Sequence, residues 1–432
     1  MREKKTDLST RRINNSGIFA NLDWIVVGLY LTLVFIGFGN IYAAVFNEDH
    51  QNIFDVSQKY GKQMIWIGTA FTLAIVILII DAEFYTAFAY PIYGIGILAL
   101  IAVFVPGIGK EVKGSHSWMN IGSFAIQPAE FCKFAASLAL AKFLSQMSIK
   151  MTDVSTKLYS AAIIILPVII ILLQHETGVA LVYFAFIFVM YREGLSGNFL
   201  LLGATATILF IVSLLFNKYY VMIALLVLAL IVFLMTRNKK KNYLPVLISL
   251  LITCGIVFGT DFAFQKLKGY QKTRINVFLG KEIDKDKTGY NVNQAKIAIG
   301  SGGFWGKGYL QGTQTKYDFV PEQDTDFIFC TVGEEWGFVG TTIIIGLFIT
   351  LIIRIIFMAE RQRSTFSRIY GYGVASVFFF HLMVNVGMTI GLAPVIGIPL
   401  PFFSYGGSSL WSFTILLFIF LKLDSQRLQV FR

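Results

Sequence analysis

Three acids stand within five residues at Glu322, Asp324 and Asp326, directly before an apolar run that Glu334 and Glu335 then enter. A carboxylate at a membrane surface can take a proton from an attacking hydroxyl, so one of the three is a candidate general base. Asp324-Thr325-Asp326 also spells an Asp-x-Asp, a pattern able to hold a divalent cation, although a tripeptide alone is a weak signal. The competing role is structural, a helix N-cap supplied by Asp324 or Asp326.

A second candidate is Gln127-Pro128-Ala129-Glu130-Phe131-Cys132-Lys133, in which the proline and the carboxylate both suit the first turn of a helix. Glu130 and Lys133 are three apart and share a face, either as a structural ion pair or as a polar patch that holds a charged headgroup at membrane depth. In Gln174-His175-Glu176-Thr177-Gly178 a carboxylate and a glycine interrupt two apolar runs. Such a break lines a cavity in some membrane proteins and is an ordinary turn in others. Gly300-Ser301-Gly302-Gly303 with Gly306 and Gly308 superficially resembles a phosphate loop, but it lacks the Gly-Lys-Ser/Thr ending and a βαβ context. Close approach of backbone to the membrane or to a ligand is the expectation there. Cys132, Cys254 and Cys330 are odd in number and widely spaced, and His50, His116, His175 and His381 are scattered. Neither set suggests a disulfide framework or a zinc site, and no metal ligand is assigned.

These residues need a scaffold, and composition says what kind. The 432 residues are 56% hydrophobic and 14% charged, with a mean hydropathy of +0.68. An all-α polytopic integral membrane protein is expected. Apolar runs that could cross about 30 Å of hydrocarbon, the one at 178–191 being short for it, fall near 23–44, 62–80, 85–106, 130–147, 158–173, 178–191, 198–216, 219–236, 243–260, 329–358, 368–390 and 406–422. About twelve spans place both termini on one side. The basic clusters at Arg2 to Arg12, Arg237 to Lys241 and Arg361 to Arg368 all fall on that side, which the positive-inside rule makes cytoplasmic. The net charge of +11 therefore faces anionic lipid, and nucleic acid is not expected as a partner. The first run lacks a cleavage pattern and reads as an uncleaved anchor.

The organisation follows: a basic tail over 1–22, a first helical bundle over 23–260 with a polar extracytoplasmic loop near 107–129, and a large extracytoplasmic loop over 261–328. The last helices occupy 329–422 and a short tail 423–432. Gly391 to Ser409 is too rich in proline and glycine for a continuous helix, and must be a re-entrant or interfacial loop buried in protein.

That last segment, read with three others in order, resembles the SEDS (shape, elongation, division and sporulation) family, which includes RodA, FtsW and SpoVE. The other blocks are Trp118 followed by Gln127-Pro128-Ala129-Glu130 and Lys133; Gln271 to Leu279 with Arg274; and Gln294 to Gly308 running into Pro321 to Gly340. The N-terminal half is more similar to the RodA branch than to FtsW. The resemblance implies a bundle of about ten core transmembrane helices, so the surplus of the twelve is placed in 198–242. It implies a peptidoglycan glycosyltransferase of the bacterial inner membrane that joins lipid II units outside the cell membrane during elongation. A class B penicillin-binding protein and other membrane proteins of the elongation complex are the implied partners.

The family's essential aspartate falls on Asp326. Trp118, Gln127, Glu130, Lys133, Glu176, Arg274, Gln294, Lys296, Glu322, Thr325, Ser404 and Tyr405 are the expected substrate-binding residues. No nucleotide or organic cofactor is implied, and a divalent cation, magnesium or manganese, is left open. Lys133, Arg274 and Lys296 could offset the charge of a diphosphate leaving group. Three departures stand out: Ser117 replaces the family's arginine before Trp118, Glu176 replaces an aspartate, and Asp324 replaces a histidine. A lipid II flippase using Glu130, Lys133 and Glu176 as a headgroup path, a scaffold for the penicillin-binding protein and an FtsW-like division paralogue are the alternatives.

Overall fold

Every apolar run stands on a helix in the computed structural model, which describes residues 19, 21–46, 53–112, 115–121, 124–147, 149–235, 239–267, 269–281, 288–317 and 319–427. Most of the basic N-terminal tail, His50, residues 236–238 and the end of the C-terminal tail lie outside the described residues. In chain order the helices are α1 Trp24–Ala44, α2 Lys59–Ile79, α3 Ala82–Ala87, α4 Ala89–Ala102, α5 Pro128–Leu144, α6 Val154–Leu173, α7 Thr177–Val182, α8 Phe186–Arg192 and α9 Gly197–Leu215. They continue as α10 Lys218–Met235, α11 Lys239–Lys266, α12 Gly269–Phe278, α13 Thr288–Gly302, α14 Thr313–Lys316, α15 Ile328–Glu360, α16 Thr365–Thr389 and α17 Gly407–Ser425. Among the described residues nine of these are long and apolar enough to cross a membrane, and Ala89–Ala102 and Thr177–Arg192 are shorter apolar helices. The chain is a polytopic helical membrane protein.

The helical architecture stands as expected, with one addition. Between α4 and α5 an antiparallel sheet forms from β1 Gly109–Val112, β2 Ser115–Ile121 and β3 Phe124–Ile126, in the order β1-β2-β3. The segment lies beyond the apolar runs, where backbone groups need partners that only a ladder or water can give. The region 261–328 is likewise not simply a loop, since it carries α12, α13 and α14.

The chain divides into two compact units. One comprises Met1–Gly194, Gln294–Thr389 and Ile396–Arg432, and the other Leu195–Asn293 and Ile390–Val395. In the second unit, α11 packs along both α9 and α10. The first unit is centred on α5, whose alanines at 129, 135, 136, 139 and 141 are all buried. Small side chains let α4, α6, α16 and α17 approach it closely. Pro128 opens this helix at a position where its missing N–H costs nothing. At the far end, α1, α15 and α17 are tied by charge. Arg354 donates to Asp23 at 2.7 Å, and Arg361 reaches both Asp23 (3.2 Å) and Asp424 (2.5 Å).

Candidate functional site

The turn before α15 is built from its own backbone. The amides of Thr325 and Phe327 both donate to the carbonyl of Glu322 at 3.1 Å, and Thr325 Oγ1 donates to Glu322 Oε2 at 3.1 Å. Glu322 sits at φ +60°, a left-handed conformation that costs a residue with a side chain about 1–3 kcal/mol and is retained where its surroundings fix it. The helix begins with Phe327 at the N-cap position. Neither Asp324 nor Asp326 takes the capping position that local sequence left open.

Asp326 is half-buried, and three contacts from other elements place it. Asn385 Nδ2, on α16, donates to the Asp326 carbonyl at 2.9 Å and to the Ile398 carbonyl at 2.8 Å. One amide thus joins the acidic turn to the Pro/Gly-rich loop. Gly397 has φ +78°, and a Cβ on it would lie 3.1 Å from Asp326 Oδ2, so glycine meets both the conformational and the steric demand. Ser404 Oγ donates to the Thr325 carbonyl at 2.7 Å and accepts from the Leu400 amide at 2.9 Å. The Tyr405 amide donates to the Asp324 carbonyl at 2.9 Å. From Ile396 onward the loop is stitched to residues 324–326 in the interior, as its composition required. Ser404 is 3% exposed and engaged on both sides, so it is a latch rather than a substrate ligand. The Tyr405 phenol is pushed up by burial and by the Asp324 carboxylate, and stays protonated.

The neighbouring acids are spoken for. Asp324 is 3% exposed and paired with Lys59 Nζ at 2.9 and 3.0 Å to its two oxygens. The Asp-x-Asp is therefore not a pair of open carboxylates. Glu334 accepts from Lys307 Nζ (2.7 Å), from the Gln314 amide (2.8 Å) and from the Thr315 amide (2.9 Å). Glu335 accepts from the Leu310 amide at 3.1 Å. Both hold the 307–315 segment in place. Among the described residues no three His, Cys, Asp or Glu side chains converge. That donor set makes no protein-built cage for a divalent cation.

The glycine-rich segment has a different use from the one expected. A Cβ at Gly302 would lie 2.0 Å from the Gly333 carbonyl, one at Gly306 would lie 2.1 Å from the Glu335 carbonyl, and one at Gly337 would lie 2.3 Å from the Gly306 amide. The glycines let this segment press against α15 where Gly337, at φ +62°, interrupts the helix. The Lys307 and Gly308 amides take up the Glu334 and Glu335 carbonyls, each at 3.0 Å. Backbone meets helix backbone here, not a ligand.

Glu130 and Lys133 are 2% and 1% exposed and 2.7 Å apart. Of the two readings left open, the geometry is that of the structural ion pair, and direct contact with a headgroup is corrected. Lys133 also reaches His381 Nε2 at 3.1 Å and lies 4.5 Å above the Phe413 ring. His381 Nδ1 is 2.9 Å from the Pro399 carbonyl. A carbonyl only accepts and an ammonium only donates, so the imidazole carries its proton on Nδ1 and offers Nε2 to lysine. The pair therefore holds the loop beside Asp326 from behind.

Trp118 and Glu176 meet through the sheet. Ser115 Oγ and Ser117 Oγ donate to Glu176 Oε1 at 2.9 and 2.7 Å, and the His116 amide and Ser115 Oγ both reach the Gln174 carbonyl. Glu176 is thus a clamp on β2, which carries Trp118, half-exposed on the strand face opposite the clamp. Gln127 ends the sheet at α5, its amide donating to Ser408 Oγ at 3.3 Å. Gln294 and Lys296 lie on α13, with Lys296 exposed. Arg274 lies on α12 in the second unit.

Sequence reasoning missed Lys59, Asn385 and the role of His381. A signal for the last two existed: His381 and Asn385 are polar, four residues apart on one face of an apolar run, where polar groups default to functional candidates. Nothing local marks Lys59, whose partner is 265 residues away.

The FtsW/RodA/SpoVE family model, described as a cell cycle protein, matches residues 23–222 and 192–429. The chain is 31% identical over 440 residues to the peptidoglycan glycosyltransferase RodA of Treponema pallidum (strain Nichols), covering 95% of this chain and 99% of that protein. It is 32% identical over 377 residues to the peptidoglycan glycosyltransferase MrdB of Escherichia coli (strain K12), covering 86% of each. Among solved structures it is similar to a chain of a peptidoglycan synthase complex that coordinates polymerization and crosslinking, with a TM-score of 0.69 and 26% identity over 95% of this chain and 99% of that one.

Proposed function

This chain belongs to the FtsW/RodA/SpoVE cell cycle protein family, and from that premise we propose that it is a peptidoglycan glycosyltransferase of the RodA kind with Asp326 as its general base. Its substrate is lipid II and its work is glycan polymerisation during elongation. The 4-hydroxyl of one lipid-linked disaccharide attacks the anomeric carbon of another. The hydroxyl proton passes to the Asp326 carboxylate, the new glycosidic C–O bond forms with inversion, and polyprenyl diphosphate leaves with the bonding electron pair. Such base catalysis contributes typically about 10²–10⁴-fold to a rate.

One observation carries the assignment of the base. Of the five acids between 322 and 335, Asp324, Glu334 and Glu335 are buried, whereas Asp326 is half-buried in a turn fixed from three sides. Glu322 supports that turn through Thr325. Trp118 and Gln127, on and beside the clamped sheet, are the proposed sugar contacts. Lys296 is the proposed counter-charge for the diphosphate. No step uses a metal held by the protein. The flippase alternative needs Glu130, Lys133 and Glu176 as an open path, and all three are hydrogen-bonded within the protein.

The proposed setting is the bacterial inner membrane, with both termini in the cytoplasm and Asp326 outside. A crosslinking partner, a class B penicillin-binding protein, fits the relative found in a synthase complex. Purified wild type and Asp326→Asn, with and without that partner, should be compared on purified lipid II by gel analysis of polymer. Loss of about 10²-fold or more in the folded variant is expected. Full polymer from a monodisperse Asp326→Asn protein would remove the residue from the chemistry.

A further inference from the structure

We propose that Lys59, at the start of α2, is a positioning residue for the general base, acting on Asp326 through the carboxylate of Asp324. The inference rests on Asp326 as the base and adds α2 to the elements that hold it.

Lys59 stands where a helix by itself disfavours a cation. It is the first residue of α2, Lys62 follows three residues on, no acid stands in the first turn, and the Gln58 side chain makes no capping hydrogen bond. The positive end of a helix dipole is better met by an anion. Here the anion comes from 265 residues away, with Lys59 Nζ 3.0 Å from Asp324 Oδ1 and 2.9 Å from Oδ2. The lysine side chain is 50% exposed, whereas Asp324 is buried. An ammonium that half faces water is already solvated, but a carboxylate shut away from water requires a partner. The contact therefore serves Asp324 more than Lys59.

The same contact closes a ring. Gln63 lies four residues after Lys59, on the same face of α2. Its Oε1 accepts from the Gly406 amide at 3.2 Å. The preceding amide, that of Tyr405, donates to the Asp324 carbonyl at 2.9 Å, and the Asp324 carboxylate returns to Lys59. Trp66 seats the same loop, since a Cβ on Gly407 would lie 2.7 Å from its ring. The next two carbonyls of the turn are also taken, that of Thr325 by Ser404 Oγ and that of Asp326 by Asn385 Nδ2. The re-entrant loop and α16 thus hold the main chain at 324–326, and Lys59 holds the side chain two residues before the base. Such precision matters, because misplacing a reacting group by about 1 Å costs on the order of 10²-fold in rate.

The test is steady-state polymerisation of purified lipid II by the purified full chain, with kcat and KM measured separately. Lys59→Met should lower kcat about tenfold and leave KM within about twofold of wild type. Lys59→Arg, whose guanidinium can also grip both carboxylate oxygens, should recover most of that loss. Asp324→Asn should lower kcat to the same extent as Lys59→Met, and Lys59→Met/Asp324→Asn should be no slower than Asp324→Asn alone. Should Lys59→Met fail to elute as a single species on gel filtration, Asp324→Asn and the double variant decide, since neither leaves a buried charge unpaired. A raised KM with unchanged kcat would make Lys59 a substrate contact and overturn the proposal. A further loss of kcat on removing Lys59 from the Asp324→Asn protein would overturn it too. Wild-type kcat in Lys59→Met beside an inactive Asp326→Asn would sink this inference and leave the base assignment standing, whereas full activity of Asp326→Asn would remove both.

Discussion

At residue 117 a serine stands where the family pattern has an arginine, and at 176 a glutamate stands where it has an aspartate. In space these two departures are each other's partner, 2.7 Å apart. Without a cation, a carboxylate must be satisfied by neutral donors, and Ser115 and Ser117 supply two hydroxyls to the same oxygen. The expected consequence is coupling. Ser117→Ala and Glu176→Ala should each lower stability by about 1–3 kcal/mol, because the first leaves the half-buried Glu176 carboxylate, and the second the buried Ser117 hydroxyl, short of a partner. The double variant should cost less than the sum by about 1 kcal/mol. Thermal denaturation of the four proteins in detergent measures this, and strict additivity would refute the clamp. Since β2 carries Trp118, lipid II turnover should show a raised KM before a lowered kcat. At this scale the sequence identified Asp326 only through ordered motifs, because a carboxylate before a helix is chemically indistinguishable from a cap until its surroundings are known.

Elements show a division of labour between the two ends of α15. At one end, glycines at 302, 306 and 337 bring backbone against backbone. At the other, Asp23, Arg354, Arg361 and Asp424 tie α1, α15 and α17 together. Burial raises the Asp23 pKa, but hydrogen bonds from Arg354 and the Val26 amide and the charges of Arg354 and Arg361 outweigh it, so the net shift is downward. A carboxylate whose pKa is depressed on folding stabilises above its unfolded value of about 3.9 and loses that contribution as pH falls through the folded value. Asp23→Asn should therefore lower the melting temperature at pH 7, by an amount corresponding to about 1–3 kcal/mol. The gap to wild type should close below roughly pH 4. Melting curves of both proteins from pH 7 to pH 3 test it; a gap that stays constant would mean that the ion pairs contribute nothing.

For the whole molecule the sharpest expectation concerns sidedness. Read as about twelve crossings, the apolar runs of the sequence would put the α5–α6 connection, with Met147, on the side of both termini and the α13 region, with Lys296, on the other. Both residues are exposed. Cys132 and Cys330 are buried, so with Cys254→Ser a single cysteine at 147 or 296 reports its own side. In intact cells an impermeant maleimide should label position 296 and leave 147 unlabelled; equal labelling of both would undo the topology. The sequence by itself determined that this is a membrane protein, where its apolar helices run and which four blocks mark its family. Those properties follow from local composition and spacing, since about 20 apolar residues must form a helix in lipid whatever surrounds them. Only the tertiary structure decided what each polar residue does there. It enclosed Glu130 and Lys133, matched Asp324 with Lys59, turned the glycine run against α15 and left Asp326 half-buried in a turn held by Asn385, Gly397 and Ser404. These partners are distant in sequence and come together only when the helices pack. Burial and hydrogen-bond satisfaction are properties of that packing.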